Sequence, residues 1–343
     1  MRNVGVRSVR AAWVAAAAVM LPVLSGCAYT PQSSHHGGIL RMALYAEPVS
    51  LNPLVAGDVN SVRAYTPMFP ELYGVNPDLS VSPDLATSLP AVSSDGVRWT
   101  ITLRSNAQWS DGKPIDASDV VYTVQTEANP KLDTFASFDW TEVVKVAAIT
   151  PHVVRFTLKQ PDASFLADHL SFAIVPRHVL AATDPSTMSQ TVFDQRPSVT
   201  GGPFLFSDRV PGLITLKANP HYYGGSPTLS EIDEHVWLDP STIALNIAQG
   251  SIFWDPGLTA QQASDAAQNE EVTVRKYPAL GDYALQFNDR AGQLFSDVAL
   301  RRAVDATLDK SSIVRAATGG SGTVLWGDIS PQSWAYNSAV LHP

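Results

Sequence analysis

Apolar and polar positions alternate most regularly at residues 97–103. Val97, Trp99, Ile101 and Leu103 fall on one side, and Arg98, Thr100, Thr102 and then Arg104 fall on the other. A period of two predicts a half-buried strand. Asp111-Gly112 and Pro114 turn the chain. A helix is then predicted over 116–125, with Val120, Val121 and Val124 on its apolar side, Asp116 as N-cap and Asp119 as the capping-box partner three residues on. The same reasoning predicts strands at 39–44, 143–149, 153–158, 213–216, 232–238, 272–274 and 283–287. A further strand should follow the glycine turn Thr200-Gly201-Gly202-Pro203-Phe204. Helices are predicted over 160–170, over 240–248 behind Asp239, and over 259–267. Another helix has Ser296 or Asp297 as its cap, with Leu300, Ala303, Val304, Thr307 and Leu308 at helical spacing, and Ser311 or Ser312 opens a shorter one. Residues 61–73 carry Val62, Tyr65, Phe69, Leu72 and Tyr73 at mixed helical spacing despite Pro67 and Pro70. Strands and helices are interspersed along the chain, as in an α/β protein.

Length and composition add scale. A chain of 343 residues, 45 % hydrophobic and 16 % charged, buries a substantial core and suits two domains or lobes. The net charge of −9 argues against a nucleic-acid partner. The first residues change the picture more. Arg2, Arg7 and Arg10 precede an apolar run over 11–24, too short to span a bilayer comfortably, which ends in Leu24-Ser25-Gly26-Cys27. This reads as a secretory signal over 1–26 with a bacterial lipobox, in which Cys27 receives the lipid that holds the mature protein at the membrane. Removing the three arginines leaves 20 basic and 32 acidic residues, a net −12. Cys27 is the single cysteine, so no intrachain disulfide and no thiol catalysis are expected. Residues 27–38, with Pro31, Ser33, Ser34, His35 and His36, form a flexible tether.

Enzyme signatures are missing. There is no Gly-x-Ser-x-Gly elbow, no His-Glu-x-x-His and no dinucleotide glycine fingerprint, and the glycine turn at 200–204 lacks the Lys-Ser or Lys-Thr of a P-loop. His169 and His178 have no metal partner at helical spacing and read as structural. No cofactor and no metal are expected.

Several segments, in order, resemble the extracellular solute-binding proteins of family 5, the peptide- and nickel-binding lipoproteins of ABC importers. They are Gly37-Gly38-Ile39-Leu40-Arg41 with Leu51-Asn52-Pro53; Trp99-Thr100-Ile101-Thr102-Leu103-Arg104 with Trp109-Ser110-Asp111-Gly112-Lys113-Pro114; and Ala117-Ser118-Asp119-Val120-Val121-Tyr122. Phe156-Thr157-Leu158-Lys159-Gln160-Pro161, Ile174-Val175-Pro176-Arg177-His178, Gly202-Pro203-Phe204, Asn219-Pro220-His221-Tyr222-Tyr223-Gly224-Gly225 and Asp239-Pro240-Ser241-Thr242 follow. Phe287-Asn288 and Phe295-Ser296-Asp297-Val298-Ala299-Leu300-Arg301-Arg302-Ala303 close the series. The family's Gly-Glu-Ile-Asp is here Gly250-Ser251-Ile252-Phe253.

The resemblance implies a periplasmic-binding-protein-like two-lobe fold (type II, cluster C-like). Lobe I would occupy 39–282, a hinge strand 283–288 and the start of a truncated lobe II 289–343. It also implies a monomer that closes on a peptide or other small ligand outside the membrane and docks on an ABC permease. Tyr65, Phe69, Trp140, Gln286 and Asn288 are the candidate ligand contacts of lobe I and the hinge, with core packing the alternative for the aromatics. An envelope lipoprotein of the same fold that regulates or scaffolds cell-wall assembly is the competing reading.

Overall fold

A computed structural model of the chain describes residues 37–331, apart from 77–79, 135, 137–138, 256, 276–283, 321 and 328, together with 336–337. Cys27 and the leader lie outside the described residues. The strands are β1 Gly38–Leu44, β2 Tyr73–Val75, β3 Val81–Pro83, β4 Ala91–Val92, β5 Arg98–Thr102, β6 Val143–Thr150, β7 Val153–Leu158, β8 Phe204–Val210, β9 Leu213–Ala218 and β10 Leu229–Val236. The helices are α1 Val59–Tyr65, α2 Ala117–Glu127, α3 Phe165–His169, α4 Arg177–Leu180, α5 Val192–Gln195, α6 Pro240–Ala248, α7 Ala260–Ala266, α8 Val298–Thr307 and α9 Lys310–Thr318.

Two four-stranded sheets carry the fold. One has the order β1-β10-β9-β8, and the other β4-β5-β7-β6. The second is wholly antiparallel. In the first, β1 runs parallel to β10 and the other pairs are antiparallel. The alternation along β5 does what the pattern predicts. Trp99 and Ile101 are buried against Val154 and Phe156 of β7, while Arg98 and Thr102 face water. α2 lays Val120 and Val124 into the same core. Its capping box is formed: Asp116 accepts from Ser118 N at 2.7 Å, and Asp119 accepts from Asp116 N at 3.0 Å.

The segments that match the family series act mainly as clasps. Buried Asp119 also accepts from Trp109 Nε1 at 3.2 Å and from Arg177 N at 2.9 Å, tying turn, helix and α4 together. A Cβ on Gly202 would stand 2.5 Å from the Pro67 carbonyl oxygen, so no larger residue fits where the glycine turn crosses the chain after α1. Buried Asn219 donates to Gly202 O at 2.9 Å, and the Tyr222 hydroxyl donates to Asp84 Oδ1 at 3.0 Å.

Several expectations need correction. Residues 272–275 and 284–288 form no strand, and Tyr283 is outside the described residues. Alternation alone does not make a strand without a ladder partner, and Leu285 is 62 % exposed. The hinge strand expected at 283–288 is therefore not seen in its described part. The helix expected over 160–170 is only α3, because Pro161 and the Asp162 turn delay its start. α1 stops at Tyr65 and passes into a 3₁₀ turn at Thr66–Met68 containing Pro67. α9 is capped by Asp309, which accepts from Ser312 N, and not by a serine.

Candidate functional site

β1 and β10 are parallel, so their carboxyl ends emerge on one edge. The chain leaves β1 at Tyr45 and leaves β10 at Trp237, which runs by way of Asp239 into α6. In open α/β sheets ligands collect outside the carboxyl ends of the strands, which makes this edge the first place to look. Residues 253–255 run beside β1 there. Phe253 N donates to Arg41 O at 2.8 Å, Ala43 N donates to Trp254 O at 3.2 Å, and Trp254 pairs with Met42.

The period of two divides β1 between two environments. Met42 and Leu44 enter the main core, whereas Ala43 joins Ile243 and Ile252 in a small second cluster. Tyr45, Trp237 and Ile247 pack against that cluster. The Tyr45 hydroxyl donates to Asp255 Oδ1, which also accepts from Gly257 N at 2.9 Å. A Cβ on Gly257 would stand 2.2 Å from the Tyr45 hydroxyl oxygen, so a larger residue there would displace the Tyr45 ring. Burial, reinforced by the Asp255 carboxylate, pushes the Tyr45 hydroxyl far above its usual range. Arg63 of α1 lies over the Tyr45 ring, 5.8 Å from its centroid. Two polar atoms here are buried without a hydrogen-bond partner among the described residues, Asp255 Oδ2 and Trp237 Nε1.

The residues expected to touch ligand are distributed differently. Phe69 is 2 % exposed and packs between Tyr65 (centroids 6.3 Å apart) and Phe193 (6.2 Å). Trp140 is 8 % exposed, stacks on Phe156, and donates from Nε1 to Glu127 Oε2 at 2.9 Å. Both are core residues in this structure, because each ring finds apolar neighbours on the main core. Tyr65, half-buried at the end of α1, adjoins Phe69. Burial pushes its hydroxyl up, with Glu71 and Glu127 adding to the effect. Burial also raises Glu127 to about 8 and, helped by Asp84, Glu71 to about 7. Gln286 and Asn288 are exposed on irregular chain, where Asn288 Oδ1 accepts from Arg290 N at 3.4 Å. No described contact brings them to Tyr65, Phe69 or Trp140.

Sequence reasoning missed Tyr45, Trp237, Asp255 and Gly257. The one available signal was the departure at Gly250-Ser251-Ile252-Phe253, directly before Trp254-Asp255. His178 Nε2 meets Asp111 Oδ2 at 2.9 Å, and His169 stacks on Phe165. Among the described residues no group of three or more His, Cys, Asp or Glu could hold a metal, and no helix is long and apolar enough to cross a membrane.

Comparison with known proteins agrees with this fold. The family model "Bacterial extracellular solute-binding proteins, family 5 Middle" matches residues 80–341, and the chain belongs to that family, whose members are binding proteins and not enzymes. Protein XP55 of Streptomyces lividans is 32 % identical over 304 residues, covering 87 % of this chain and 53 % of XP55. Oligopeptide-binding protein AppA of Bacillus subtilis is 26 % identical over 310 residues, covering 90 % and 56 %. The structure of AppA in complex with a nonapeptide superposes with a TM-score of 0.77 at 25 % identity, covering 89 % of this chain and 60 % of that one. NikZ of Campylobacter jejuni in complex with Ni(L-His) gives 0.75 at 26 % identity, covering 88 % and 59 %. The fold class is that of type II periplasmic binding proteins. The chain spans about half the length of the curated relatives it matches.

Proposed function

We propose that the protein is the substrate-binding lipoprotein of an ABC importer. It captures peptides outside the membrane and delivers them to a permease. The observation that carries this reading is the family match, joined to the likeness to AppA, whose solved structure holds a nonapeptide. The probable D,D-dipeptide-binding protein DdpA of Escherichia coli, 28 % identical over 309 residues, supports the same solute class. A lipid on Cys27 would keep the monomer at the membrane beside its permease, facing the periplasm or the cell exterior. Tyr65 at the end of α1, with Gln286 and Asn288 on exposed chain, are the proposed ligand contacts of lobe I and the hinge. Phe69 backs Tyr65 from the core, and Trp140 lies in the same core. Ligand capture couples to closure because the closed state binds solute more tightly than the open one.

The test is thermal unfolding of the full-length mature protein against a library of two- to nine-residue peptides. At a ligand concentration one hundred times Kd, binding adds about 2.7 kcal/mol to stability and raises Tm. A set of peptides that raises Tm is the expected result. A library with no active member would overturn the reading, and a response to nickel–histidine alone would move the solute to another class.

A further inference from the structure

We propose that the open face of the sheet β4-β5-β7-β6, where Arg98, Arg155 and Lys145 gather, docks on the anionic lipid headgroups of the membrane. The proposal rests on the membrane location in the reading above and deepens it by naming the side of the fold that meets the bilayer.

The register of the sheet assembles the cations. Trp99, Ile101, Val154 and Phe156 are buried in the core, so their neighbours along β5 and β7 line the opposite face. Arg98 of β5, Thr157 of β7 and Lys145 of β6 form one cross-strand row there, and Thr100, Arg155 and Ala147 form the next. Adjacent strands lie about 4.8 Å apart, so the backbones at Arg98 and Lys145 stand about 10 Å from each other, with Arg155 two residues along the strand between them. The three side chains, with Ala147, Ile149 and Thr157, line an open recess of about 190 Å³ that has no acid in its wall.

Little counter-charge reaches this face. Lys145 and Arg155 have no ion-pair partner among the described residues, and Arg155 Nε donates to Thr100 Oγ1 at 3.3 Å. Arg98 meets Asp95 at 3.4 Å in a pair more than half exposed, and such pairs contribute little. Glu142, just before β6, pairs with Lys159. Gathered like charges repel, and phosphate groups laid across them relieve that cost. With 20 basic and 32 acidic residues after the signal, the chain as a whole is repelled by an anionic surface. Screening decides between the two effects. The Debye length is about 8 Å in physiological salt, so charges farther than that from the bilayer are largely silent and the face in contact decides. Each Lys or Arg beside such a surface strengthens binding about fivefold. Ile149, 47 % exposed in the same recess, adds apolar surface at the level of the headgroups. A lipid on Cys27 would fix one point and leave rotation about it, and a second contact selects the side that faces the bilayer.

The alternative is a face that is merely solvated. Vesicle flotation is measured with the full chain carrying Cys27→Ser, so that no lipid contributes, on phosphatidylcholine alone and on equal parts of phosphatidylcholine and phosphatidylglycerol. This chain is expected to bind the mixed vesicles about tenfold or more better than the neutral ones, and to lose the preference in about 1 M salt, where the Debye length is about 3 Å. Adding Arg98→Gln, Arg155→Gln and Lys145→Gln together should erase the preference. Lys131→Gln, Lys217→Gln and Arg302→Gln remove the same charge from other exposed positions and should leave it intact. Equal losses in the two triple variants, a preference that survives the first of them or high salt, or no preference at the outset would each overturn the proposal. Capture of poly-glutamate without vesicle binding would overturn it in favour of an acidic protein partner. The peptide-dependent rise in Tm, read on the same preparations, separates this inference from peptide capture. A peptide response without vesicle preference removes the docking face alone, and vesicle preference without a peptide response removes peptide capture alone. Should the face variant fail to melt cooperatively, Lys145→Glu decides: it reverses one exposed charge that has no ion-pair partner among the described residues, and an unchanged preference would overturn the proposal.

Discussion

Glu127 shows how one side chain ties stability to pH. It ends α2 inside the apolar core, where Trp140 Nε1 is its hydrogen-bond donor at 2.9 Å. Burial outweighs that bond and lifts its pKa from the ordinary 4.5 to about 8. The folded protein therefore keeps a proton that the unfolded chain releases across this window. Stability from this group is complete below pH about 4.5 and drains away as pH rises to about 8. Glu71, raised to about 7, acts with the same sign over a narrower window. Glu127→Gln keeps an oxygen for Trp140 and has no proton to lose. Wild-type stability is expected to fall by a few kcal/mol between pH 5 and pH 8, and Glu127→Gln should remove about half of that fall or more. Urea unfolding at the two pH values gives the measurement, and equal falls in the two proteins would refute the assignment. The sequence offered no route to this pair. Trp140 sits in a polar loop, where its ring reads either as core packing or as a ligand contact, and nothing local says that Glu127 is buried beside it.

At the scale of elements, residues 97–127 form a strand, a turn and a helix whose N-terminus is secured by side chains. Asp119 accepts from three N–H donors on three different segments, Asp116, Trp109 and Arg177. Asp119→Ala removes the acceptor of all three, the buried Trp109 Nε1 among them, and should cost about 2–4 kcal/mol. Asp119→Asn, which keeps one oxygen but faces a donor with its amide, should lose an intermediate amount. Denaturant unfolding separates the cases, and an alanine variant within about 1 kcal/mol of wild type would show that the clasp is redundant. This stretch was legible because each signal in it is local: a period of two, an Asp-Gly turn and an Asp cap. The segments near 272–274 and 283–287 misled for the opposite reason. They alternate, but a strand also needs a neighbour, and whether one is present depends on contacts distant in sequence. The Tyr45–Asp255 bond lies beyond sequence reading in the same way, since 210 positions separate its partners.

For the molecule as a whole, the series of short segments from Gly37 onward, each weak alone, was enough to identify the family and the α/β architecture. It left the ligand residues open, because most of those segments turn out to hold the scaffold together. The same series places the fold behind Leu24-Ser25-Gly26-Cys27, and the proposed attachment through Cys27 has a separable consequence. Several acyl chains on one residue bind a bilayer far more firmly than a single chain, about 0.8 kcal/mol for each buried methylene, so the lipidated protein should partition wholly with detergent or membrane. Cys27→Ser removes the thiol that receives the lipid and leaves every described element unchanged. In its native host, wild type is expected in the detergent phase of a Triton X-114 separation and to carry labelled palmitate. Cys27→Ser is expected to carry no label and, once released from the cells, to stay in the aqueous phase. The purified variant should keep the same peptide-dependent rise in Tm, because Cys27 precedes every described element in the sequence. A Cys27→Ser protein that still enters the detergent phase would show that something other than this cysteine holds it at the membrane. Loss of the peptide response together with the lipid would show that anchor and binding are coupled.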